Sequence, residues 1–110
     1  MKRSAGKTQV GKVRLEFLPS LAESLGVEPK SEEVISKHGH GGTISVADLL
    51  KRLGIRYQRF SQMVFDVNTQ TPTGVVAIFL NGHSLDIGGG LTSKLSDGDT
   101  LTFVPIIEGG

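Results

Sequence analysis

"ISVADLLKRLG", residues 44–54, decides how the rest of the chain is read. Val46, Leu49, Leu50 and Leu53 recur at helical spacing and draw one apolar stripe down one side of a helix. Ser45 stands where a hydroxyl can accept a backbone N–H. Asp48, three residues on, completes a capping box and places its charge at the favourable end of the helix dipole. Lys51 and Arg52 then fall in the expected last turn, and Gly54 reads as the stop. A helix with a single apolar stripe needs a surface to cover, and the segments on either side supply one.

On the N-terminal side, Val13, Leu15 and Phe17 alternate with Lys12, Arg14 and Glu16 within Val10–Leu18. This two-residue period puts one face in the core and the other in water, the mark of a strand. Pro19, Leu21, Leu25 and Gly26 predict one or two turns of helix with a glycine end. Val34 and Ile35, in a polar surround, predict a short edge strand. On the C-terminal side, Tyr57, Phe60 and Val64 continue at helical intervals and predict a second short helix. Thr69–Gly74 reads as a loop. Val75–Leu80 is unbroken apolar sequence, expected to be covered on both sides or to lie in the centre of a sheet. Asn81-Gly82 signals a tight reversal into His83–Ile87, and Asp97-Gly98 another turn before a last strand, Thr100–Val104, with Leu101 and Phe103 on one face. The expected fold is an α+β roll, a mixed sheet of four to five strands with one main helix packed across it.

The 110 residues suit one domain. Twelve Lys/Arg against eleven Asp/Glu leave a formal charge of +1, which does not suggest nucleic acid as the main partner. The absence of cysteine excludes disulfides, thiolate metal sites and a cysteine nucleophile. No membrane span or signal segment follows the basic residues Lys2, Arg3, Lys7 and Lys12, so a cytoplasmic protein is expected. Three segments are expected: a solvated basic tail over 1–9, a domain over 10–105 and a C-terminal tail over 106–110. His38 and His40 lack further ligands nearby and read as loop histidines rather than a metal site, and His83 as exposed. Gly88–Gly90 lacks the context of a phosphate loop. Arg52, Arg56 and Arg59 read as a solvated helix face. No nucleophile elbow is present, and no catalytic or metal-binding residue is assigned.

"VRLEFLPSLAESLG", "TISVADLLKRL", "RFSQMVFD", "VVAIFLNGHSL" and "LTSKLSDGDTLTFVPIIEGG" occur in this order. Together they resemble the β-grasp, or ubiquitin-like, fold. Within it they resemble the MoaD/ThiS-like sulfur carriers, above all the archaeal-type small subunit of molybdopterin synthase. The chain departs from that pattern in expanded loops at Val27–Gly42 and Gly88–Gly90, and in Glu108, where the family usually has a small residue. It is also longer than the thiamine-pathway branch.

The resemblance implies that the chain is a carrier, not an enzyme, and binds no cofactor itself. A partner of the MoeB/ThiF/ubiquitin-activating kind would use ATP to adenylate the carboxylate of Gly110. Sulfur would then replace AMP, and the thiocarboxylate would pass sulfur to a pterin precursor on the molybdopterin synthase large subunit, for a molybdenum or tungsten cofactor. Pro105, Ile106, Ile107, Glu108, Gly109 and Gly110 would be the segment inserted into the partner's active site. Two alternatives stay open: a modifier joined through Gly110 to lysines of target proteins, and a plain interaction domain. The tail chemistry is physically apt. A terminal carboxylate ionises with a pKa of roughly 3.3–3.7 and is a poor electrophile until activated. Gly109 and Gly110 have no Cβ to obstruct a narrow channel. Pro105 cannot donate to a ladder and should help end the sheet. Ile106 and Ile107 either pack on the domain edge or anchor the tail in a partner's groove.

Overall fold

The computed structural model describes residues 11–36, 44–85 and 90–106. The alternating segment forms β1 (Gly11–Phe17). Pro19 opens α1 (Pro19–Leu25), and Gly26 closes it in the left-handed region at φ 75°. The polar segment around Val34 is a full seven-residue strand, β2 (Lys30–Ser36), rather than a short one. The striped segment is α2 (Val46–Arg56), entered through the expected capping box: Asp48 N–H donates to Ser45 Oγ at 3.1 Å and Ser45 N–H to Asp48 Oδ2 at 3.1 Å. The Ser45 N–H foremost, then the Ser45 side chain, hold the Asp48 carboxyl below its ordinary range. After α2 come α3 (Gln58–Met63), β3 (Phe65–Asp66), β4 (Thr71–Pro72), β5 (Val76–Leu80), β6 (His83–Ser84), a 3-10 turn at Gly90–Thr92 and β7 (Thr100–Pro105).

The main sheet runs β2-β1-β7-β5-β6. β1 and β7 pair in parallel, with Leu15 beside Leu101 and Phe17 beside Phe103. The other three pairings are antiparallel, so the sheet is mixed as expected. The inward residues of β1 and β7 meet Val46, Leu49, Leu50 and Leu53 of α2 in one buried cluster. At its centre the ring of Phe17 stacks on Phe103 at 4.6 Å, and Phe60 from α3 meets both rings edge-on. At one end of the sheet Asn81 and Gly82 both take positive φ, 52° and 84°, as a two-residue hairpin requires. The Asn81 side chain there bonds Asp99 and the N–H of Thr100.

Two expectations are corrected and two are refined. Gly54 does not end α2; the helix runs on to Arg56, and Tyr57 N–H closes it on the Leu53 carbonyl at 2.8 Å. Gly54 is needed for close approach, because a Cβ there would collide with Val67 Cγ1. The segment read as a loop over 69–74 contains β4, which pairs with β3. The Asp66 carboxylate accepts the Asn68 N–H at 2.8 Å and turns the chain, with Gln70 at φ 57°. β5 meets the second of its two expectations, lying inside the sheet between β7 and β6; it is not covered on both sides, since Ala77 and Phe79 are half-buried, and Val75 lies outside it and exposed. Arg52, Arg56 and Arg59 keep the expected access to water, and each also holds a partner on a neighbouring element. Arg56 holds Glu33 of β2 with both guanidinium nitrogens, at 3.0 and 2.6 Å, Arg52 takes the Val34 carbonyl, and Arg59 takes the Ser24 carbonyl at 3.0 Å.

Glu33 is the one buried charged side chain among the described residues, 8% exposed. Burial pushes its carboxyl up, but the hydrogen bonds and charge of Arg56, reinforced by Arg52, outweigh it and leave the group below its ordinary range. The depressed carboxyl therefore stabilises the fold above its unfolded pKa, and that contribution is lost as pH falls through the native value. Glu33→Gln should cost about 1–2 kcal/mol near neutrality, since both arginines keep access to water. The gap from wild type should be full above roughly pH 4.3 and close below it. Urea denaturation at a series of pH values checks this, and a gap independent of pH would contradict it. Gly54→Ala should destabilise by about 1 kcal/mol, because overpacking outweighs the gain in helix propensity. In a Val67→Ala background the same change should become stabilising, a sign reversal readable in the urea midpoints.

Candidate functional site

β7 is the third of five strands, so the chain leaves the sheet from its middle. Pro105 is the last residue of β7 and stands opposite Val76. With no N–H it ends the regular ladder, as its chemistry requires. One further bond holds the departing backbone: Ile106 N–H donates to the Val75 carbonyl at 2.9 Å. On the opposite flank Leu18 N–H donates to the Phe103 carbonyl at 3.3 Å, just where β1 hands over to α1. The last part of β7 is thereby held from both flanks, at Phe103 by Leu18 and at Ile106 by Val75.

Ile106 lies at the domain edge. Its backbone is tied to the domain edge, while its side chain stays about half exposed at the lip of a groove of about 440 Å³. Pro72, Val76, Leu85 and Leu91 line that groove with it, a wall more apolar than polar. Ile107, Glu108, Gly109 and Gly110 lie outside the described residues, as do His38, His40, Gly88 and Gly89. Gly90 begins the 3-10 turn, and His83 is exposed in β6.

Leu18 and Val75 were not singled out from the sequence, and the structure brings Val75 to Ile106 and Leu18 to Phe103 on the other flank of β7. Each carries a faint signal. Leu18 stands just beyond the alternation of β1 and before Pro19, and Val75 follows Gly74, whose φ of 89° swings the chain into β5. Among the described residues no group of three His, Cys, Asp or Glu could hold a metal ion, and no helix is long and apolar enough to cross a membrane. What the geometry offers chemically is presentation: a strand end, projected from a rigid sheet, framed by apolar side chains.

The model of the ThiS family matches residues 27–110. No curated protein sequence matches the chain. Among solved structures, the HVO 2177 protein of Haloferax volcanii superposes with a TM-score of 0.70 at 20% identity, over 92% of this chain and 88% of that one. Small archaeal modifier protein 1 of Methanosarcina acetivorans gives 0.68 at 21% identity, over 93% and 99%. A candidate molybdopterin converting factor, subunit 1, from Pyrococcus furiosus gives 0.62 at 22% identity, over 88% and 99%. The fold shared with these structures is the β-grasp, and the five-stranded mixed sheet with α2 across it is that fold in this chain.

Proposed function

The chain belongs to the ThiS family, and from that premise we propose that it is a ubiquitin-like sulfur carrier with Gly110 as the residue that bears the sulfur. The observation that carries this reading is the family match through to residue 110, combined with a strand, β7, that delivers the final segment from the middle of the sheet. The chain supplies the acyl group and its partners supply the machinery, so it is itself no enzyme.

The first step is adenylation. An oxygen of the Gly110 carboxylate attacks the α-phosphorus of ATP, the bond to the β-phosphate breaks, and pyrophosphate leaves. The product is a mixed anhydride whose carbonyl no longer bears a negative charge, so a nucleophile can add. Hydrosulfide, or a donor at that oxidation level, attacks the carbonyl and AMP departs, leaving a thiocarboxylate. Its sulfur is then a nucleophile for an acceptor, which we place in molybdopterin synthesis, a pterin precursor held by the synthase large subunit. The resemblance in fold to a candidate molybdopterin converting factor supports that placement. The likeness to a small archaeal modifier protein supports a second reading, in which a lysine amine attacks the same adenylate and forms an isopeptide. Both readings put the adenylating partner and its ATP in the cytoplasm and need no cofactor on this chain.

The test is an intact-mass spectrum of the untagged protein purified from its own host, followed by sequencing of the terminal peptide. The expected result is the exchange of one oxygen for sulfur, localised on Gly110. Sequencing separates this from oxidation of Met63, which gives a nearly equal gain. Gly110 found joined to lysines would favour the modifier reading. A plain carboxylate after incubation with ATP, a sulfide source and the host's adenylating enzyme would sink both. Replacing Gly110, or extending the chain beyond it, should abolish the modification while leaving the melting temperature unchanged.

A further inference from the structure

Asn81-Gly82 makes the hairpin turn, and the same pair carries a chemistry that the carrier reading does not use. An asparagine side chain can be attacked at Cγ by the backbone nitrogen of the next residue, and a glycine there, having no Cβ, leaves the approach unobstructed. The pair is exposed, and among the described residues the Gly82 N–H donates to no acceptor. The Asn81 amide, by contrast, is held at both ends. Its Nδ2 donates to Asp99 Oδ1 at 3.0 Å, and its Oδ1 accepts the Thr100 N–H at 2.9 Å. The backbone adds a third bond, from Asn81 N–H to the Thr100 carbonyl at 2.8 Å. Asp99 is fixed in turn: its Oδ2 accepts the Ser96 N–H at 2.8 Å and its carbonyl the Arg14 N–H at 2.8 Å. We propose that Asn81 is a modification site, converted to aspartate or isoaspartate through a cyclic imide, and that its clasp on Asp99 and Thr100 restrains this conversion in the folded chain.

The Gly82 nitrogen gives its proton to a base in solution and forms a bond to Asn81 Cγ. The Cγ–Nδ2 bond breaks and ammonia leaves. Water then opens the ring in one of two ways. Cleavage of the new N–Cγ bond leaves an aspartate in an unchanged backbone. Cleavage between the Gly82 nitrogen and the Asn81 carbonyl carbon leaves isoaspartate, with one extra carbon in the chain. Ring closure needs the side chain to rotate, so both amide hydrogen bonds must be given up first. Each product then acts on the clasp. Aspartate puts a carboxylate where Nδ2 stood, facing the Asp99 carboxylate, and an attraction becomes a contact of like charges. Isoaspartate lengthens a two-residue loop whose length sets the register of β5 with β6.

The measurement is peptide sequencing by mass spectrometry on the full-length chain, sampled over time at mildly alkaline pH. Conversion is expected at Asn81 and not at Asn68, the only other asparagine, which is also exposed but is followed by Thr69. Asp99→Ala should speed conversion about tenfold, the factor that one hydrogen bond to a charged group represents. Val64→Ala, weakened in the buried core instead, is followed at the same interval below its own melting temperature. If it converts as fast as Asp99→Ala, general loosening controls the reaction and the clasp is wrong; a rate near wild type supports the clasp. Asn81→Asp should lower the melting temperature by about 5 °C, the fall expected from losing one such bond in a domain of this size. Adding Asp99→Asn should recover most of that fall, because amide and carboxylate then exchange places. This pair of melting temperatures tests the clasp even where Asp99→Ala does not fold, and no recovery would overturn it. An Asn81 that stays intact both in the folded chain and in urea, or one that converts no faster than Asn68, would overturn the site itself.

Discussion

The parallel pairing of β1 with β7 is the contact on which the rest of the molecule depends. It sets Phe17 beside Phe103, stacks their rings and gives Phe60 a place to close against both. It also puts β7 between β1 and β5, where its neighbours supply partners on both sides. Without that register α2 would have no continuous apolar face to cover. The end of β7 would be an edge, open to unregulated pairing, instead of a guided exit.

Charge fastens the outside of this arrangement. β2 lies at the border of the sheet, and its one buried carboxylate, Glu33, is grasped by a guanidinium from α2. The same helix also reaches the backbone of β2 through Arg52. A helix that rests on the sheet by non-directional apolar contact is thereby given an orientation. Arg59 does the same between α3 and the last turn of α1. The core could tolerate some sliding of its helices, whereas these bidentate and carbonyl contacts define where they stop.

Features written in local period were legible from the amino-acid sequence. The alternation around Leu15 and the stripe from Val46 to Leu53 need no knowledge of neighbours, and Asn81-Gly82 and Asp97-Gly98 announce their turns by backbone preference alone. What was not legible depends on segments that meet only in three dimensions. Gly54 looked like a stop because a glycine after an apolar stripe usually is one; only the approach of Val67 shows its reason. The partners of the arginines were hidden because Glu33 lies 23 residues from Arg56 along the chain. The β3–β4 ribbon escaped because Asp66 and Gln70 make its turn with no glycine to mark it. At the tail, Pro105 was read correctly as the end of the ladder, while Leu18 and Val75 were missed because each is exposed only by where its strand ends.

The register of Leu15 with Leu101 carries a consequence for how the protein comes into being. These partners are separated by most of the chain, so the loop between them must be closed before their contact repays it. During synthesis from the ribosome the first strand therefore waits, one of its edges unfilled, until nearly everything else has been made. Among the described strands the central one is made last. A nascent chain cut short before Thr100 would lack the keystone of its sheet. Closure of the sheet is thus tied to its central strand, whose partner strand β1 was made long before it.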